Sequence, residues 1–160
     1  MATRQPLDVG RELLHAFEHS TRVSEHLVSV LPPQLWHAES PNKRRDIAAI
    51  VAHMQSLRRT FAKLGGARPV APPLKAASST PLEACRALQQ SREALTKLFE
   101  GALARGEGRI KGLPRRTVNM MLYLVQHEAH HRGQICGLAR DLGHRLSSDD
   151  VMRIWGWKKL

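Results

Sequence analysis

The sequence predicts an all-α fold: a four-helix bundle with a long crossover between its second and third helices and a short C-terminal helix. Three observations predict it. Four long segments place apolar residues at every third or fourth position, the helical repeat. Proline, glycine and capping residues punctuate the chain between them. No segment alternates at the two-residue period of a strand, and no internal repeat is present. A chain of 160 residues suits one domain with one sizeable core, so residues 1–160 are read as a single bundle domain.

The first helix is expected over 9–31, behind Asp8 as N-cap. Leu13, Phe17, Ser20, Ser24, Leu27 and Leu31 form its inner stripe, and Pro32-Pro33 ends it. A loop containing Trp36 and Pro41 leads to the second helix, which starts at Lys43 or Asp46 and runs to Leu64, where Gly65-Gly66 stops it. Ile47, Ile50, Met54, Leu57, Phe61 and Leu64 recur at helical spacing along it. Residues 65–79, rich in Pro, Gly, Ala and Ser, read as the crossover. Thr80, Pro81 and Glu83 then form a capping box with proline at the first helical position. The third helix covers about 81–104, with Leu82, Cys85, Leu88, Leu95, Leu98 and Phe99 mostly inward. After a loop marked by Gly106, Gly108 and Gly112, the fourth spans about 115–141. Ser147 and Asp150 suggest a cap for a last short helix ending near Trp155. The Trp155–Leu160 segment itself suggests no role.

Composition limits the function classes. The apolar fraction of 42% is ordinary for a globular protein, and no apolar run reaches transmembrane length. Residues 1–6 lack the apolar stretch of an export signal, and Cys85 and Cys136 fall in different helical segments; a cytoplasmic location is the expectation. The net charge is +11, from 25 Lys plus Arg against 14 Asp plus Glu. The cations are dispersed over Lys43-Arg44-Arg45, Arg58-Arg59, Lys111, Arg115-Arg116 and Lys158-Lys159, without interleaved aromatics that would stack on bases. A solvated basic surface, attraction of an anionic substrate and weak nucleic-acid contact all share this signal; nucleic acid ranks last.

Chemistry concentrates in His127-Glu128-Ala129-His130-His131. His127 and His131, at i and i+4, differ by about 40° around the helix and share the stripe of Met120, Leu124, Gln134 and Leu138. Two inward imidazoles each need a partner, and one cation serves both. His53, between Ile50 and Leu57, is a core histidine when read alone and a candidate third ligand beside such a pair. Three neutral imidazoles suit zinc or nickel and leave coordination positions open for chemistry. His130 lies on the flank, beside a ligand or facing a partner subunit. His15, His19 and His26 lie opposite the apolar stripe and read as surface residues, while His37 and His144 fall in loops.

Glu128 and Gln134 are the candidate catalytic residues. Glu128 completes an H-E-x-x-H string, in which a metalloprotease would use it as general base. A peptidase also needs a substrate-binding edge strand and a more distant ligand, and the sequence offers neither; Glu128 otherwise sits at the rim of the site or beside a ligand. Gln134 orients a water or a histidine, or is a buried amide bonded to a neighbouring helix. Ser20 and Ser24 leave room opposite the metal or let helices approach closely. Trp36 covers the cleft mouth or anchors a loop.

The segment His127-Glu128-Ala129-His130-His131-Arg132-Gly133-Gln134-Ile135 is similar to the H-x-x-H-H-x-G-Q motif of the DinB/YfiT-like superfamily, and Ile50–Met54 is similar to that family's second-helix histidine segment. The likeness extends over about 8–145. It implies a four-helix bundle binding zinc or nickel through His53, His127 and His131, with His130 matching a histidine that is usually not a ligand. It also implies a homodimer. Some relatives transfer or hydrolyse groups on small thiols such as bacillithiol, mycothiol or glutathione, and one branch isomerises maleylpyruvate. The expected function is therefore a metal-dependent transferase or hydrolase acting on a small, anionic thiol or its adduct. A non-catalytic metal-binding stress or structural protein is the alternative, and a nucleic-acid-binding module ranks below both. The apolar faces of helices one and four are the expected dimer strip.

Overall fold

A computed structural model describes residues 6–42, 45–156 and 158–160. Among the described residues are five α-helices: four long and one short. The start of helix two at Lys43, the basic residues Lys43 and Arg44, residues 1–5 of the leader reading and Trp157 lie outside the described residues.

Helix α1 (Val9–Val30) begins where the Asp8 carboxylate accepts from the Arg11 N–H at 3.0 Å. Leu31 is already extended, as the residue before a proline prefers, so the helix stops one position short of expectation. Helix α2 (Ile47–Leu64) uses Asp46, whose carboxylate accepts from Ala49 N–H at 2.7 Å. Helix α3 (Pro81–Ala104) carries the complete Thr80–Glu83 capping box. Helix α4 (Thr117–Asp141) starts two residues later than expected. Thr117 is tied back to the preceding loop, donating its hydroxyl to the Glu107 carbonyl at 2.6 Å and its N–H to the Gly108 carbonyl at 3.1 Å. Helix α5 (Ser148–Ile154) is capped by Ser147.

Both α1 and α2 pack on α3 and α4, so α1 and α2 face each other across the bundle, and α5 lies on α1. The core is in two parts. One gathers Leu27, Val28, Ile47, Val51, Met54, Leu88 and Ile135. The other gathers Phe17, Leu95, Phe99, Met120, Met121 and Leu124, with Phe17 and Phe99 edge to face at 5.1 Å. Along every long helix, polar residues separate the two: Thr21 and Ser24, Arg58, Ser91 and Arg92, Glu128.

The crossover is anchored side chain by side chain. Gln55 donates to the Pro72 carbonyl at 2.9 Å and accepts from Leu74 N–H at 3.1 Å, and Arg59 donates to the Ala71 carbonyl. Trp36, which is buried, donates its indole N–H to the Ser79 carbonyl at 2.7 Å and is therefore a loop anchor, not a cover for the cleft. At the other end, Gly112 has φ +91°, and a Cβ there would sit 2.1 Å from the Leu64 carbonyl oxygen; only glycine lets this loop close against α2.

Three expectations change. Leu82 is 60% exposed while Ala84, in the same turn of α3, is fully buried: two residues apart, they lie about 160° apart around the helix, and Leu82 faces outward. His26 is not a free surface residue: its Nε2 lies 3.1 Å from Asp150 and ties α1 to α5. The large exposed apolar residues on α1 and α4 among the described residues are Val9 and Leu122, which make no continuous strip. Cys85 and Cys136 are both free thiols. No described helix is long and apolar enough to cross a membrane.

Candidate metal centre

His53 from α2 and His127 and His131 from α4 converge. One ring nitrogen from each lies within 4.8 Å of the other two. His127 Nε2 is the shared point, 3.2 Å from His53 Nε2 and 3.0 Å from His131 Nε2. Tetrahedral coordination at about 2.05 Å separates ligand nitrogens by about 3.3 Å, so the observed spacing fits a divalent ion.

Proton placement makes the same point. Gln134 Oε1 lies 2.7 Å from His131 Nδ1, so that nitrogen carries the proton and Nε2 is left bare. Without a cation His127 Nε2 serves only one of its two neighbours: as an N–H it donates to one and leaves the other unmade, and as a bare nitrogen it sets its lone pair against that of His131. The rings are also kept neutral. Burial lowers the pKa of all three; for His127 the adjacent rings of His131 and His53 add to burial and take it to about 4. For His53 and His131 the positive charge of Arg45 contributes to the same direction.

The surroundings are uneven. Tyr123, one turn before His127, places its ring 6.0 Å from the imidazole and carries the Arg115 guanidinium 4.7 Å above its face. Sequence reasoning missed it, although its i−4 spacing from His127 was the available signal. His130 is exposed, with its Nε2 3.0 Å from Gln134 Nε2. The Gln134 amide thus bridges two histidines, donating to one and accepting from the other. On the outer side, a cleft of about 560 Å³ runs along α4 past His131 and Gln134.

Glu128 goes elsewhere. It is buried rather than at the rim, because it sits about 100° from His127 on the helix and faces α1 and α2. Arg58 grips both of its oxygens, and Ser24 donates to Oε2 at 2.6 Å. Arg58, also grouped above with the surface cations, is 1% exposed and uses all five N–H donors: two on Glu128, one each on Glu25, the Leu88 carbonyl and the Thr21 carbonyl. Glu25 also receives Arg92 at 3.0 Å, and Arg132 donates to Ser20 and Ser24. Burial works against the Arg58 charge, but Glu128 and Glu25 outweigh it and raise its pKa. Ser20 and Ser24 are therefore partners of Arg132 and Glu128. They do not line the metal site. Sequence reasoning missed this network, because Arg58 reads with Arg59 as a surface pair and its acceptors come from three other helices.

Comparison with known proteins finds one family. The DinB family model matches residues 1–158, and the chain belongs to that family. The comparison with curated proteins finds no match.

Proposed function

We propose that this DinB-family chain is a metal-dependent transferase or hydrolase for a small thiol or thiol adduct, with zinc or nickel held by His53, His127 and His131. One observation carries the metal part: three ring nitrogens, on two helices, directed at one another with no proton arrangement that satisfies them. The thiol substrate comes from the family likeness, and the neutral imidazoles suit either metal. A divalent ion in this site supplies Lewis acidity, which makes a bound thiol or water easier to deprotonate.

The chain's own residues do the rest. Gln134 accepts the His131 Nδ1 proton and so keeps the Nε2 lone pair on the ligand side. Tyr123 and the hydrocarbon around it shield one side of His127 from water. Glu128 holds α4 against α2 through Arg58, and with both oxygens committed it is a positioning residue, not a base. In the same reading the protein is a homodimer, a point that rests on the family alone and is checked by sedimentation.

The test is metal uptake followed by turnover. Apo protein is dialysed against zinc or nickel, metal content is measured, and thiol and electrophile panels are assayed with wild type and the His53→Ala and His131→Ala variants. One ion per chain and turnover, both lost in the variants, supports the reading. Metal binding without turnover on any panel member favours the non-catalytic metal-binding alternative, and absence of metal binding overturns both.

A further inference from the structure

We propose that the cleft beside the histidines binds a small organic monoanion, its carboxylate on Arg45 and its short apolar body on Ile50 and Leu138. The inference rests on the metal-site reading and adds the class of molecule that the site takes.

The cleft has a polar, ligand-bearing side and an anion-reading side. His131 and Gln134 of α4 form the first, so an occupant lies next to the imidazole cluster. Arg45, from the connection before α2, forms the second. At about 560 Å³ the space suits a small molecule. Arg45 is exposed, and no carboxylate lies within ion-pair distance of it among the described residues, which include every acidic residue of the chain. A guanidinium is a planar fork that grips a carboxylate with two N–H groups. Arg45 and His131 line the same cleft, so an anion held on Arg45 lies beside the imidazole cluster.

Ile50 and Leu138, both largely buried, give the stretch between these two ends an apolar wall. Asp141 lines the same cleft. Arg45 is the one cationic side chain among the described lining residues, His131 being neutral, so a second anionic group would meet the Asp141 charge with no described cation to offset it.

Calorimetry on zinc-loaded protein, with metal content measured first, tests this using three probes: 2-mercaptoethanol, 3-mercaptopropionate and mercaptosuccinate. The monoanion is expected to bind about tenfold more tightly than the neutral thiol, the gain a single well-made charged contact brings. The dianion gains nothing over it. Arg45→Gln should bring 3-mercaptopropionate down to the level of 2-mercaptoethanol and leave 2-mercaptoethanol unchanged. Arg45→Lys should keep part of the preference, and Asp141→Asn should improve mercaptosuccinate alone. Equal affinity of wild type for the neutral and anionic probes, or equal weakening of both by Arg45→Gln, overturns the inference while a full zinc content leaves the metal site standing. Failure to retain zinc overturns both.

Discussion

Around Arg58 every donor meets an acceptor on a neighbouring helix, whereas around His127 ring nitrogens meet one another. Both clusters draw on α2 and α4 and lie within a turn or two of each other. The ionic one is buried and closed: five charged side chains from four helices, with their hydrogen bonds made internally. The imidazole one is half-buried and open to a cleft. A group of polar residues that satisfies itself holds a fold together. A group that cannot satisfy itself is where the protein meets something else. Buried ion pairs add little net stability over well-packed apolar residues, yet stranding one partner is expensive, so the Arg58 layer acts chiefly to fix how the two halves of the core meet.

The largest effect should come from the open cluster. His127→Ala removes the shared nitrogen, and equimolar metal uptake is expected to fall to background in equilibrium dialysis, while the metal-free protein unfolds within about 1 kcal/mol of wild type. The closed cluster behaves in reverse. Arg58→Met strands Glu128 without its partner and should cost about 3–5 kcal/mol in urea unfolding. Arg58→Met combined with Glu128→Leu should cost clearly less than the two single changes summed, since no carboxylate is then left unpaired there. If Arg58→Met is harmless and His127→Ala unfolds the protein, the contrast between the two regions is wrong.

Two smaller effects sharpen the contrast. Metal at a hundredfold excess over its Kd should stabilise wild type by about 2.7 kcal/mol and His127→Ala not at all, read as a shift in thermal midpoint. Gln134→Leu frees the His131 ring and should weaken metal binding about 10- to 100-fold without removing it. The smallest effect is on pH. In metal-free protein the three rings have lowered pKa values, His127 at about 4. The unfolded chain therefore takes up protons first as pH falls. Stability from these groups is complete above about pH 6.5 and is lost as pH drops towards 4. Solvent screening of the half-exposed rings keeps that loss modest, and an unfolding series across this range should follow its sign.

Much of this was legible in the chain. Helix positions followed from apolar spacing and from Asp8, Thr80 and Ser147, because caps and periodicity are local. His53 and His131 were legible because histidines at apolar positions are conspicuous. Arg58 was not. It sits beside Arg59, which reads as a surface pair, and Leu57 seemed to occupy the inner stripe. Only the arrangement of α1, α3 and α4 around it supplies the acceptors that let a guanidinium lie inside. Glu128 misled for the opposite reason: a short motif assigned it to its sequence neighbours, while helix geometry turned it about 100° away from them. The Arg45 cleft depends on how a loop lies against α4, which no single segment encodes.

The adjacency of His127 and Glu128 has one more consequence. A single turn of α4 presents ligands on one side and the salt layer on another, so its angular phase is shared by two unrelated demands. One residue inserted ahead of position 127 would rotate the turn by about 100° and misalign both at once. The length of this helix between Met120 and Gln134 is therefore not free to vary at all.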